Sequence, residues 1–106
     1  MLDLVPNKTS VTKLVRGKKA LTVKWKKSNE IIRGKHITGY QIRYSLKSGM
    51  KNSKTVTVKG YKSISKKLTK LKGGKKYYVQ VRTYYTVGSK KYVSGWSAKK
   101  SKKTKK

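Results

Sequence analysis

The amino-acid sequence predicts an all-β fold, in which short strands stack as two sheets around one core. Three observations lead to this class. Large apolar residues alternate with polar ones in several runs, which is the period of a half-buried strand. Turn residues such as Gly, Asn and Ser separate these runs at short intervals. No window has a helical period strong enough to compete, and a chain of 106 residues corresponds to one domain.

The first four predicted strands lie between residues 10 and 58. Residues 10–14 form the first. Residues 21–26 alternate most cleanly and place Trp25 on the buried face. Residues 40–44 and 55–58 follow, each bounded by glycine or other turn residues.

Three further strands are predicted in the second half. Residues 64–68 alternate weakly, whereas residues 77–82 alternate strongly and form a central strand. Residues 91–98 form the last strand, which pairs with the central one as a hairpin around Gly88-Ser89. Seven strands in about 100 residues, with turns every 8–12 residues or slightly more, predict a seven-stranded immunoglobulin-like β-sandwich.

The charged residues restrict the chemistry of the chain. Lys and Arg number 31 and acidic residues only 2, so the formal net charge is +29. There is no cysteine, and His36 is the only histidine. Acid/base pairs, catalytic triads and metal sites therefore lack the residues they need, and we expect no enzyme, no cofactor and no metal. No stretch is apolar enough for a membrane span, and no leader opens the sequence, so the chain is either intracellular or a piece of a longer secreted protein.

The basic residues also indicate the kind of partner. Lysine outnumbers arginine 27 to 4. Arginine is favoured for bidentate recognition of phosphate or guanine, whereas lysine is a strongly hydrated point charge. The bias favours solvation and diffuse attraction of polyanions over specific readout. The charge run at the end of the chain, residues 101–106, is predicted to be a disordered basic tail or linker.

Several motifs resemble the fibronectin type III family. The run from Leu71 to Arg82 is similar to its signature, in which a leucine, a turn and a Tyr-x-Val-x-Val strand follow one another. Trp25, the segment Gly39–Tyr44 and the segment Gly95–Ser97 also resemble that family, in particular the lysine-rich repeats of surface and secreted proteins of Gram-positive bacteria. One departure is Gly73, which stands where the family usually has proline, and we expect it to loosen that turn.

The resemblance implies a domain over residues 7–100, after an N-terminal extension of residues 1–6. It also implies a tyrosine corner, in which the hydroxyl of Tyr77 bonds to nearby backbone. The residues expected in the core are Trp25, Tyr40, Ile42, Leu71, Tyr77, Val79 and Val81.

One candidate ligand surface lies on the last hairpin. Its members are Tyr78, Arg82, Tyr84 and Tyr92, whose aromatic faces beside basic residues could stack sugars or bases. The alternative, which we favour, is that these tyrosines pack across strands as structural pairs.

Two functions from different classes are consistent with the sequence. The first is a non-catalytic extracellular module, a spacer or adhesion repeat of a bacterial surface or secreted protein. Its partners would be the other domains of its polypeptide, anionic cell-wall polymers or carbohydrate, and proteins. The second is a small basic nucleic-acid-binding protein, supported by the charge and the basic tail. Scarce arginine and dispersed charge favour the first function and suggest that nucleic acid binds only non-specifically.

Overall fold

The computed structural model describes residues 4–106, which form two packed sheets and a small hairpin. The strands are β1 (Val11–Gly17), β2 (Ala20–Trp25), β3 (Ile31–Ile32), β4 (Lys35–His36), β5 (Gly39–Ser45), β6 (Lys54–Lys59), β7 (Ser65–Leu68), β8 (Lys76–Val87), β9 (Lys90–Val93) and β10 (Lys100–Lys103). Strands β1, β2 and β7 form one sheet, and β6, β5, β8 and β10 form the other, in which β9 also pairs with β8. The hairpin consists of β3 and β4. The predicted β-sandwich is confirmed.

The core lies between the two sheets. The seven residues expected there are each at most 7% exposed: Trp25, Tyr40, Ile42, Leu71, Tyr77, Val79 and Val81. Alternation accounts for six of them, because every second side chain of β2, β5 and β8 points inward, whereas Leu71 lies in the loop between β7 and β8. The rings of Trp25 and Tyr40 pack with centroids 5.4 Å apart, in a tilted arrangement. Burial of each such side chain stabilises the fold by about 1.5–3 kcal/mol.

The hairpin of β3 and β4 lies in a segment that the sequence analysis left outside the strands. Its two-residue turn, Arg33-Gly34, has positive φ at both positions (51° and 80°), as a type I′ turn requires. Ile32 is buried and explains why the hairpin packs against the sandwich. His36 is exposed, and its ring stacks on that of Tyr61 at a centroid distance of 3.7 Å.

The last strand is divided in two. Val93 pairs with Tyr84 and Lys100 with Val79, so seven steps along the last strand lie opposite five along β8. Ser94 and Ser97 accommodate the extra residues, and each does so by a hydrogen bond from a backbone N–H of β8 to its side chain. The backbone N–H of Thr83 donates to the Ser94 hydroxyl, and that of Val81 donates to the Ser97 hydroxyl, both at 3.0 Å. Side-chain oxygens thus replace the missing ladder bonds.

The prediction of a disordered tail over residues 101–106 is wrong. Residues of this segment continue as β10 beside β8, and Thr104 is 1% exposed. Lys105 forms two backbone bonds to the end of β1: its N–H donates to the Gly17 carbonyl, and its carbonyl accepts from the Lys19 N–H. Strand pairing uses backbone groups, so lysine side chains can stay in water while the backbone is ordered. The ordered domain therefore extends beyond residue 100.

The predicted extension of residues 1–6 belongs partly to the same unit. Leu4 packs against the core and Pro6 is buried. Residues 1–3 lie outside the described part of the chain.

The turn before β8 lies close to the C-terminal segment. A Cβ on Gly73 would lie 3.0 Å from the Cα of Lys106, so a larger residue there would require Lys106 to shift by a few tenths of an ångström. Instead of being loosened, the turn is held on both sides. The backbone N–H of Lys72 donates to the Tyr77 hydroxyl at 2.9 Å, which is the expected tyrosine-corner bond. The Thr104 hydroxyl in turn donates to the Lys72 carbonyl.

Candidate ligand-binding surfaces

The outer face of the five-stranded sheet carries a cluster of two arginines and one tryptophan, which we call the Arg–Trp cluster. Arg43 and Arg82 occupy outward positions on the adjacent strands β5 and β8. The register places Arg82 opposite Gln41 and Arg43 opposite Gln80. Residues paired in this way share one face, so the four polar side chains converge.

Trp96 completes the Arg–Trp cluster. It lies in the divided part of the last strand, between Ser94 and Ser97, and its ring covers both guanidinium groups. The Cζ atom of Arg82 is 4.2 Å from the ring centroid, and that of Arg43 is 4.5 Å from it. Each contact is within the range of a cation–π interaction, which stabilises by about 0.5–2 kcal/mol depending on desolvation.

Hydrogen bonds fix both arginines in place. The Nε of Arg82 donates to the Oε1 of Gln41 at 2.8 Å. The Nε of Arg43 donates to the Oε1 of Gln80 at 2.8 Å, and the Nε2 of Gln80 donates to the Ser97 carbonyl at 2.7 Å. The cluster is therefore a rigid connection between the middle of the sheet and the irregular part of its last strand.

Burial shifts the titration of one member of the cluster. The pKa of Arg82 lies below its ordinary value, mainly because its guanidinium is partly desolvated and also because the charge of Arg43 is nearby. A guanidinium nevertheless stays charged at neutral pH. The two like charges are tolerated because the electron-rich face of Trp96 is close to both.

The candidate ligand surface predicted from the sequence does not form as one unit. Tyr84 is 4% exposed and lies opposite Gly39, whose missing side chain gives its ring room. Burial raises the pKa of the Tyr84 hydroxyl. Lys91 covers the ring, with its Nζ 5.0 Å from the centroid. The prediction that Tyr84 offers a ligand face is therefore wrong.

The other two tyrosines of that prediction face different sides of the sheet. Tyr78 shares the outward face with Arg82 and is half-buried, with the Nζ of Lys76 5.4 Å from its ring centroid. Tyr92 is paired with the buried Tyr85, so it takes the inward side at the sheet edge and is half-buried. Only Tyr78 and Arg82 share an accessible face.

Sequence reasoning missed the arginine and tryptophan partners of Arg82. In the sequence, Arg43 and Trp96 belong only to the family-like segments Gly39–Tyr44 and Gly95–Ser97. The signal that could have joined them is two outward arginines on neighbouring strands, which need an acceptor or an aromatic face.

A second candidate surface is a groove at one end of the sandwich. It lies between the turn joining β5 to β6 and the loop joining β7 to β8, and its volume is about 460 Å³. Lysines and tyrosines form much of its lining. We call it the end groove.

Residues 4–106 contain neither a cluster of metal ligands nor a helix that could cross a membrane. No group of three or more His, Asp or Glu residues within this range could hold a metal ion. Within the same range, no helix has the length and apolar character that crossing a membrane requires.

Comparison with known families identifies the fold. A family model described as fibronectin type III domain matches residues 5–98. The chain belongs to the fibronectin type III family. Comparison with curated protein sequences finds no match.

Solved structures show where such domains occur. The FN1–FN3 domains of chicken CNTN1 match with 25% identity and a TM-score of 0.71, over 96% of this chain and 31% of that one. A solution structure of the fn3 domain of human contactin 1 matches with 20% identity and a TM-score of 0.77, over 100% and 84%. A beta-1,2-glucanase from Parabacteroides distasonis matches with 19% identity and a TM-score of 0.70, over 100% and 14%. This fibronectin type III domain thus spans less than a third of the first of these chains. Domains of this family are generally non-catalytic modules of multidomain proteins.

Proposed function

We propose that this fibronectin type III domain is a non-catalytic spacer or adhesion repeat of an exported bacterial surface or secreted protein. In this role it associates with anionic cell-wall polymers such as teichoic acids. The observation that carries the proposal is the combination of this module fold with a formal charge of +29. Fibronectin type III domains are commonly extracellular, which is consistent with an exported parent protein.

The placement of the lysines supports a polyanionic partner. Lys13 of β1 lies directly opposite Lys24 of β2, and both are exposed. Lys103 of β10 lies opposite Lys76 of β8, again with both exposed. Like charges directly opposite each other destabilise a sheet. A polyanion laid across these faces would relieve that repulsion and be held by it.

The four arginines support diffuse recognition over base readout. Arg43 and Arg82 are engaged with Trp96 and two glutamines. The Nε of Arg16 donates to the Lys103 carbonyl at 2.7 Å. Three of the four side chains best suited to bidentate recognition therefore already contact other parts of the domain.

Binding to a defined polymer tests the proposal. We expect the domain to be retained by immobilised poly(glycerol phosphate) at about 150 mM NaCl, and to be released steeply as salt rises. Neutral dextran serves as the matched control matrix and should not retain it. Failure to bind the phosphate polymer at that salt concentration would contradict the association.

Binding to nucleic acids distinguishes the proposed function from the alternative of a small basic nucleic-acid-binding protein. Duplex DNA and single-stranded RNA should bind no more tightly than poly(glycerol phosphate), because charge alone drives the attraction. A preference of about 10³ or more for one nucleic-acid sequence would instead support a small basic nucleic-acid-binding protein. The sequence that flanks this segment in its parent protein gives an independent test, since an exported multidomain protein needs an export signal and neighbouring domains.

A further inference from the structure

We propose that the end groove is a binding site for a phosphorylated saccharide unit, either free or within a polymer. This inference rests on the proposed function for the class of partner, and it assigns that partner a defined place on the domain. The groove volume of about 460 Å³ lies in the range of small-molecule sites, roughly 300–1,000 Å³.

The groove combines positive charge with apolar surface. Its cationic lining consists of Lys47, Lys51, Lys54, Lys70 and Lys72. Glu30, the acidic residue of the described part of the chain, is not among the lining residues. A cleft lined by one sign of charge concentrates its field, so an anion is attracted more strongly here than to a flat lysine face. Lysine ammonium groups suit a phosphate as point charges.

The apolar lining favours a saccharide over a bare anion. Tyr44, Leu46, Leu71 and Tyr77 provide it. The two tyrosine rings are tilted by 57° with centroids 6.3 Å apart, so they meet at an angle instead of stacking on each other. Tyr44 is half-buried, and its hydroxyl makes no hydrogen bond to another described residue. An aromatic face with a free hydroxyl can contact the apolar side of a sugar ring and bond to one of its hydroxyls.

The wall formed by the turn between β5 and β6 is already ordered. The Ser45 hydroxyl donates to the Lys51 carbonyl at 2.6 Å and accepts from the Lys47 N–H at 3.0 Å. The Met50 N–H donates to the Lys47 carbonyl at 2.9 Å, and the Met50 side chain is buried. Two lysine-bearing positions of this wall are thus fixed before any ligand arrives.

The opposite wall is held by the tyrosine corner and the C-terminal segment. The Lys72 N–H donates to the Tyr77 hydroxyl, and the Lys72 carbonyl accepts from Thr104. The Leu71 N–H donates to the Lys19 carbonyl at 3.0 Å. Ordered walls reduce the entropy cost of binding, which is the physical difference between this groove and the lysines spread over the strands.

Titration with trehalose 6-phosphate, followed by amide NMR shifts, is the direct experiment. We expect shifts confined to the β5–β6 turn and the β7–β8 loop. Neutral trehalose and inorganic phosphate should each bind at least about tenfold more weakly, because each offers half of the recognised chemistry. Shifts spread evenly over all exposed lysines, or equal binding of inorganic phosphate, would overturn the inference.

Paired charge variants provide the control. Lys47→Gln with Lys70→Gln removes two charges from opposite walls of the groove. Both lysines are exposed, as are Lys13 and Lys24 of the control variant, so both variants should fold. Lys13→Gln with Lys24→Gln removes two charges from the flat face of β1 and β2, outside the groove. The groove variant should weaken trehalose 6-phosphate binding by about tenfold and the control variant by less than about twofold. Equal weakening in both would overturn the groove.

The polymer experiment separates this inference from the proposed function. If poly(glycerol phosphate) retains the domain while the two variants weaken trehalose 6-phosphate binding equally, the groove is refuted and the diffuse association stands. If poly(glycerol phosphate) does not retain the domain but trehalose 6-phosphate binds with the expected variant pattern, the proposed function fails and the groove stands.

Discussion

The C-terminal segment allows a quantitative test, because the sequence predicts that residues 101–106 are disordered whereas the structure pairs this segment with β8. Deletion of residues 104–106 removes the backbone bond from the Thr104 N–H to the Lys75 carbonyl, and the bond that the Thr104 hydroxyl accepts from the Lys75 N–H. It also removes the bond that this hydroxyl donates to the Lys72 carbonyl, and the two backbone bonds of Lys105 to Gly17 and Lys19. At a net value of about 0.5–1 kcal/mol for each of these five bonds, the free energy of unfolding should fall by about 2.5–5 kcal/mol. Loss of two positive charges opposes this fall, so the effect is best measured with repulsion screened.

Urea unfolding at about 0.5 M NaCl measures this change with long-range repulsion suppressed. The matched control is Lys105→Gln with Lys106→Gln, which changes the same charge and keeps every backbone bond. The control should change the free energy of unfolding by less than about 0.5 kcal/mol. If the deletion is as harmless as the control, the segment contributes nothing to the fold and the structural reasoning about it is refuted.

Three further predictions follow from the same structure. Tyr77→Phe removes the acceptor of the Lys72 N–H and should lower the free energy of unfolding by about 1–2 kcal/mol in urea unfolding; an unchanged midpoint would show that the bond is replaced by water. Arg82→Lys loses the bond to Gln41 and the planar contact with Trp96, so it should cost about 1–2 kcal/mol in the same assay, and a loss below about 0.3 kcal/mol would argue against the Arg–Trp cluster. Thermal unfolding should shift upward as NaCl rises from about 20 to about 500 mM, because salt screens a net charge of +29, and a flat response would contradict the importance of self-repulsion.

The strands with clear alternation could be predicted from the sequence. The runs around Trp25, Ile42 and Val81 show a period of two, and these three residues are at most 1% exposed. The tyrosine corner followed from the resemblance and from the need of a buried hydroxyl for a partner. These features depend on residues close together in the chain.

The features that were missed depend on long-range backbone pairing. Residues 101–106 carry no apolar side chain, so a pattern of side-chain hydrophobicity contains no sign of β10. The ordering signal is Thr104, whose hydroxyl reaches a turn about thirty residues earlier in the chain. Likewise, the Arg–Trp cluster joins three separate strands or segments. Register of this kind is fixed by tertiary pairing and not by local composition.

The high charge is compatible with this fold because the atoms that carry the charge are not the atoms that stabilise the sandwich. The core and the backbone ladders stabilise the sandwich, and the outward side chains are needed for neither, so those positions can be lysine at a cost that is mainly electrostatic. That cost is spread unevenly. On flat faces such as the pair Lys13 and Lys24, water and salt screen it, whereas in the end groove five lysines share a concave space around apolar residues. Concavity raises the mutual repulsion of the lysines and, by the same field, the attraction of an anion. Removing groove charges should therefore stabilise the free domain more than removing the same number of charges from a flat face. The same removal should weaken binding of a polyanion more than removal from a flat face does.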